Sequence, residues 1–379
     1  MEKITSISQN QPDVDDVEKE NVNGDGDLDV ITKPFNPNDI DVDIATVNLG
    51  SIIDMLENDE IELQPDFQRA ADVWDNTKKS RLIESILLGL PLPSFYFSED
   101  PVTQKLSVID GLQRLCAIRD FILNKTLVLQ NLQFLKSFEG EVYSDLERPE
   151  IKRIKSLKIT MNTLRKGTPN DVKFIIFQRV NTAGEPLTPQ EMRHALNQGP
   201  AAAFIKELAE LDSFKTATND SVKSKRMQDR DFANRFMAFF IGYDDYNGEL
   251  DAFLNDKMGE LNRMTSERRD TIKTAFNRSM KCCYEIFGED TFRKRNHPED
   301  RRKPISKSVY DTLSVNIAWL TDEERKKITT NAEALKQGMM DLFNDRKFNF
   351  AISTGTGHKS NVEQRFKRVK ELIKEIIEL

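Results

Sequence analysis

Histidine and cysteine are scarce in this 379-residue chain, three of each, and their positions leave little room for metal or thiol chemistry. His194, His297 and His358 are scattered, and Cys116, Cys282 and Cys283 lack zinc-type spacing. The adjacent cysteines suit small buried side chains on a helix, and no disulfide framework is expected. No apolar run approaches the ~20 residues of a membrane span. The opening stretch MEKITSISQNQPDVDD has no apolar centre of the secretory kind, so a cytoplasmic location is expected. No GxxxxGK[ST] pattern occurs, which leaves a P-loop nucleotide site unsupported.

What is present is charge, unevenly placed. The net charge is −8, yet residues 1–45 hold twelve acidic against three basic side chains, so the rest of the chain is close to neutral. A neutral-to-basic body behind an acidic stretch can still bind nucleic acid locally. The first 45 residues are also rich in Asp, Asn and Gly and poor in aromatics, a composition that buries too little apolar surface to offset chain entropy. Because the chain exceeds one domain of ~150 residues, the expected organisation is a disordered acidic tail over 1–45, a mixed domain over 46–200 and a helical domain over 201–379.

From Thr46 the pattern predicts a short helix with Ile52, Ile53 and Leu56 inward, then a strand near Ile61–Leu63. Residues 75–89 read as an amphipathic helix carrying Leu82, Ile83, Ile86 and Leu87, with Gly89 past its end. Arg81, Glu84 and Ser85 on its other face would look into a pocket or into water. Strands are predicted at Phe95–Phe97, Thr126–Leu132 and Leu157–Leu164, with a polar connection containing SDLERPE. Two further helices start at Thr168-Pro169 and Thr188-Pro189. In the second, Glu191 stands three residues after the threonine and is expected to close a capping box.

The stretch VIDGLQRLCAIRDFI, Val108 to Ile122, breaks from a β-branched run into a helical pattern at Asp110-Gly111. A helix start presents backbone N–H groups and partial positive charge to an anion, and glycine allows close approach. Arg114, read as an exposed first-turn arginine, would add a charge-assisted contact. The same residues are also compatible with an ordinary cap, turn and surface ion pair.

Three neighbouring stretches accompany that motif: LQPDFQRAADVW (63–74), SRLIESILLGLPLPSFYF (80–97) and IFQRVNTAGEPLTPQEMRHAL (176–196). In this order they resemble the DGQQR-motif family that forms the N-terminal half of GmrSD-type modification-dependent restriction enzymes. The family's motif reads here Asp110-Gly111-Leu112-Gln113-Arg114. The resemblance implies an α+β, ParB/sulfiredoxin-like domain with a small mixed sheet, followed by a mostly α-helical domain. It implies a nucleotide site in which Asp110, Gln113 and Arg114 are catalytic candidates, while Gln68, Arg69, Gly111, Arg179 and Asn181 bind nucleotide. Nucleoside triphosphate would be ligand or substrate, with Mg²⁺ a candidate companion at Asp110. Larger relatives carry an HNH nuclease domain, whose chemistry needs histidine and a metal. Nothing here resembles it, so a nuclease is expected on a separate defence-system subunit.

Beyond residue 200 the chain reads as helix, ending in NVEQRFKRVKELIKEIIEL with Val362, Phe366, Val369, Ile373 and Ile376 on one stripe. Two basic clusters lie in this half. Lys223, Lys225, Arg226, Arg293, Arg295, Arg301 and Arg302 are its candidate nucleic-acid contacts, of the backbone-binding kind. Three functions follow: an NTP-hydrolysing regulatory subunit of a restriction or anti-phage system, a non-catalytic DNA-binding or protein-interaction module, and a DNA nickase.

Overall fold

The computed structural model describes residues 17–23, 41–63, 74–100, 103–165, 168, 173, 176, 188–197 and 199–379. The described residues divide into two compact units, one within Lys33–Leu196 and one joining the N-terminal segment to Asn197–Leu379.

The first unit is α+β. Its five strands are β1 (Val42–Asn48), β2 (Ile61–Glu62), β3 (Phe95–Glu99), β4 (Leu106–Asp110) and β5 (Lys158–Leu164), in the order β1-β5-β3-β4-β2. β1 with β5 and β3 with β4 are antiparallel; β3 with β5 and β2 with β4 are parallel. Helix α1 (Leu49–Glu57) buries Leu49, Ile52, Ile53 and Leu56 as the 3.6-residue period dictates. Helix α2 (Asn76–Leu87) is capped by Asp75, whose carboxylate accepts from the Lys78 amide at 2.7 Å, and Gly89 follows at φ +74°. Their apolar faces meet Phe95 and Phe97 in one core.

Several expectations change. The boundary placed at residue 45 falls inside β1, which pairs with β5 from Val42↔Leu164 to Asn48↔Lys158. β1 is an edge strand with Ile44 69% exposed, so it carries little of the burial pattern that marks a strand. Residues 126–132 form no strand among the described residues. Leu127, Leu129 and Leu132 are buried, but the segment pairs with no strand: Leu129 exchanges backbone bonds with Glu141 and Gly140, and Gln130 N–H donates to Ser80 Oγ on α2 at 3.1 Å. The polar connection instead contains α4 (Arg148–Ser156), with Pro149 in its first turn. The helix expected from Thr168 lies outside the described residues, apart from 168, 173 and 176.

Helix α5 (Pro189–Leu196) opens with the expected capping box: Thr188 N–H donates to Glu191 Oε2 at 2.7 Å, and Glu191 N–H donates to Thr188 Oγ1 at 3.2 Å. The second unit is helical from Pro200 onward. Its C-terminal helix Lys359–Glu378 buries Val362, Phe366, Val369, Ile373 and Ile376. Cys282 and Cys283 are buried within helix Ser266–Phe287, and burial pushes both thiols up, the inert setting expected of them. Residues 17–23, inside the stretch expected to be a solvated tail, lie against this unit. Their carboxylates meet basic partners there, which composition alone does not reveal.

Candidate functional site

The Asp110–Arg114 motif folds as expected locally, and its arginine differs from expectation. β4 ends at Asp110, Gly111 turns the chain at φ +102°, and α3 (Leu112–Ile118) begins, continuing into a π-helical turn over Arg119–Leu123. A side chain at Gly111 would place its Cβ 2.4 Å from Phe95 Cδ1, so both conformation and space demand glycine.

Arg114 is not an exposed first-turn residue. It is 8% exposed and folds back across the turn. Its Nη2 donates to Asp110 Oδ2 at 2.7 Å and to Ser94 O at 3.1 Å, and Nη1 donates to Pro93 O. The guanidinium lies 4.4 Å from the centre of the Phe95 ring. These contacts lock the β3 entrance, the β4 end and the helix start into one piece, so Arg114 acts on the site by positioning.

Asp110 is the half-open member, its side chain 28% exposed. Burial pushes its carboxyl above the usual range; the Arg114 charge and the Gly111 amide offset only part of that. The Asp110 carboxylate answers Arg114 through Oδ2 and also accepts from the Gly111 amide. Among the described residues no three His, Cys, Asp or Glu side chains group as a metal site. Gln113 is half-buried beside this pair and already engaged by neighbours. Gln68, Arg69, Arg179 and Asn181 lie outside the described residues.

Two contributors escaped the sequence reading. Phe95 supplies the surface beneath Arg114, and Asn162 on β5 is a buried amide that donates to Phe95 O at 3.4 Å. A polar residue inside the apolar strand KITMNTL is the signal that marks Asn162. Glu84, left open between pocket and water, is buried. Its carboxylate accepts from the amides of Gln133, Phe134 and Leu135 at 3.0, 2.6 and 2.8 Å, pinning a loop.

In the helical unit the two basic clusters come together. Arg293 Nη2 donates to Ser221 Oγ at 2.7 Å, and Asn219, with its amide oxygen turned toward Arg302, accepts from that guanidinium at 3.2 Å. Arg293 is 3% exposed and also holds the Glu289 and Lys303 carbonyls, so it is a brace within the fold, correcting its expected role as a contact. Arg295 is occupied by Asp290 and Pro298 O. Arg226 and Arg302 are half-buried, while Lys223, Lys225 and Arg301 are exposed.

An α+β domain whose polar strand-turn-helix is braced by a buried arginine is therefore the class of module that the first unit defines. Residues 52–197 match the family described as GmrSD restriction endonuclease, N-terminal domain, and this stretch is similar to that domain. Neither curated proteins nor solved structures returned a match. No helix among the described residues is long and apolar enough to cross a membrane.

Proposed function

We propose that this chain is a cytoplasmic regulatory subunit of a prokaryotic restriction or anti-phage defence system, in which a ParB/sulfiredoxin-like domain binds a nucleoside triphosphate at the Asp110 turn. The family match supports the defence-system setting, and the braced turn at Gly111 supports the ligand site. Backbone N–H groups at the helix start would face the phosphates, the role such helix starts suit. Asp110, held by Arg114 and with its carboxyl pushed up by burial, would orient water or a ribose hydroxyl. Since Arg114 is committed to Pro93, Ser94 and Asp110, phosphate charge would fall to Arg69 and Arg179. Mg²⁺ would enter with the triphosphate. DNA cutting would belong to a separate nuclease subunit.

The test is nucleotide binding by the full-length chain, followed by calorimetry and phosphate release, with and without DNA. Triphosphate binding that weakens at least tenfold in Asp110→Asn supports the site, and phosphate release with Mg²⁺ makes it an NTPase. Absence of binding for all common triphosphates overturns it.

A second reading, a DNA-binding module without turnover, draws on the exposed Lys223, Lys225 and Arg301, which lie on two segments tied together by the Arg293–Ser221 and Arg302–Asn219 contacts.

A further inference from the structure

The acidic N-terminal stretch contains a short segment that behaves as a bound peptide. Residues 17–23 lie along the helical unit without helix, bridged at Val17, with Lys19 and Asn23 exposed and the other five partly buried. Val17 bridges Ile305, and Glu18 N–H donates to Ile305 O at 2.8 Å. The Glu18 carboxylate pairs with Lys294 at 2.8 Å. Two residues on, Glu20 makes a bidentate pair with Arg235, both bonds at 2.9 Å, and accepts from Thr356 Oγ1 at 2.8 Å. At the far end Thr356 N–H donates to Asn21 O and Gly357 N–H to Val22 O, each at 2.9 Å. Lys19 and Asn23 face solvent.

The receiving surface is shaped for this occupant. A side chain at Gly357 would set its Cβ 2.6 Å from Val22 Cγ1, so the glycine leaves room for that valine. The Gly-rich STGTGHKS segment thereby gains a function that its composition alone did not suggest. Arg235 is already held from the other side by Asp311, through Nε at 2.9 Å and Nη2 at 2.5 Å. Lys307 is paired with Asp231 at 2.6 Å, and Arg365 lies 3.5 Å from Asp311. Without Glu20 the pocket holds three cations, Arg235, Arg365 and Lys307, against two carboxylates, Asp311 and Asp231. One positive charge is left over, in a place where Arg235 and Arg365 are 3% and 1% exposed. A buried uncompensated charge is costly, so the pocket demands one carboxylate.

We propose that the groove bounded by Ile305, Lys294, Arg235, Thr356 and Gly357 is a receptor for an extended acidic peptide of pattern Glu-x-Glu-x-Val, and that Val17–Asn23 is its resident ligand, a strap the protein supplies to itself. The contact is small and mostly half-exposed on the strap side, whereas on the receptor side Ile305, Arg235, Thr356 and Gly357 are buried, Lys294 is partly buried, and Arg235 keeps its pair with Asp311. The strap is therefore the separable partner.

The test uses the full chain and a version lacking residues 1–23. Removing the strap is expected to lower the melting temperature. A synthetic peptide covering residues 15–25, added in trans, should restore it in a concentration-dependent way, and the same peptide with Glu20→Gln should not. If the shortened chain does not fold, hydrogen exchange on full-length Glu20→Gln decides. Amides of Glu18, Thr356 and Gly357 should exchange at least tenfold faster than in the parent, with core helices unchanged. Unchanged exchange in that variant, no loss of melting temperature on strap removal, or equal rescue by both peptides would overturn the proposal.

Discussion

Each unit contains an arginine bound to an aspartate, and the two pairs differ in how far water reaches them. Arg235 and Asp311 are sealed, with side chains 3% and 0% exposed, and two further charged residues, Glu20 and Arg365, complete the set. Arg114 and Asp110 are 10% and 28% exposed, and the carboxylate keeps an open edge. The sealed pair is closed to solvent because the outward edge of Arg235 is already filled by Glu20 of the chain itself, so no outside ligand reaches it while the strap is in place. The half-open pair fixes one oxygen and leaves a rim at which a ligand can add a contact. Similar chemistry thus divides into a fastening and a candidate site by burial alone.

The sharpest way to break that comparison is at the sealed pair. Arg235→Met leaves Asp311 and Glu20 buried without their main partner, and losing one member of such a pair costs about 3–5 kcal/mol. For a unit of this size the melting temperature should fall by roughly 10 °C or more. A thermal scan showing less than 2 °C would mean the cluster is wetter than its burial implies.

The half-open pair should respond less. Arg114→Ala strands two carbonyls and one carboxylate, and charge-assisted hydrogen bonds of this kind are worth about 2 kcal/mol in stability. Arg114→Lys should recover part of that, because an ammonium reaches Asp110 but cannot span Pro93, Ser94 and Asp110 as the planar guanidinium does. Urea titration of the three proteins measures the order; equal stability of Lys and Ala variants would show that the bridging geometry contributes nothing.

Glu84 extends the comparison to a carboxylate with no cation in its inner shell. Burial pushes its pKa up, but the amides of Leu135, Gln133 and Phe134, with Lys136 nearby, outweigh burial and hold it below the usual glutamate range. A depressed folded value means the stabilisation is complete above the unfolded glutamate pKa and is lost as pH falls through the folded one. Glu84→Gln should therefore cost about 1–2 kcal/mol at neutral pH, and the gap to the parent should close as the solution is acidified. A gap independent of pH would place its origin in packing.

These residues also show what was legible beforehand. The period of Ile52, Ile53 and Leu56 and of Leu82 to Leu87 declared both helices, and Thr188 with Glu191 declared a helix start, because those signals are local. The turn at Asp110-Gly111 was legible for the same reason. Arg114 was misjudged as exposed because its partners Pro93 and Ser94 come from the segment leading into β3, 21 and 20 residues away in sequence. Glu84 is similar: its three amide partners stand about fifty residues downstream. The strap was hidden most completely, since Glu20 is linked to Arg235 across 215 positions and nothing in an acidic run distinguishes the one carboxylate that is buried.

The smallest effect on folding should come from the exposed cations, and it separates surface charge from built charge. Lys223, Lys225 and Arg301 are exposed, whereas Arg293 next to them braces Ser221 and two carbonyls. Replacing the three exposed residues by alanine should change stability by no more than about 0.5 kcal/mol per site, the usual range for surface positions. If this edge contacts a nucleic-acid backbone, the same triple variant should lower the slope of log affinity against log salt by up to about 2.7 for duplex DNA, close to 0.9 for each lost phosphate contact. Arg293→Ala should show the reverse, a clear loss of stability and little change in salt slope once the protein is folded. DNA binding whose salt dependence is identical in parent and triple variant would remove this edge from the interface. A stable Arg293→Ala protein with a reduced slope would return that arginine to the role of contact.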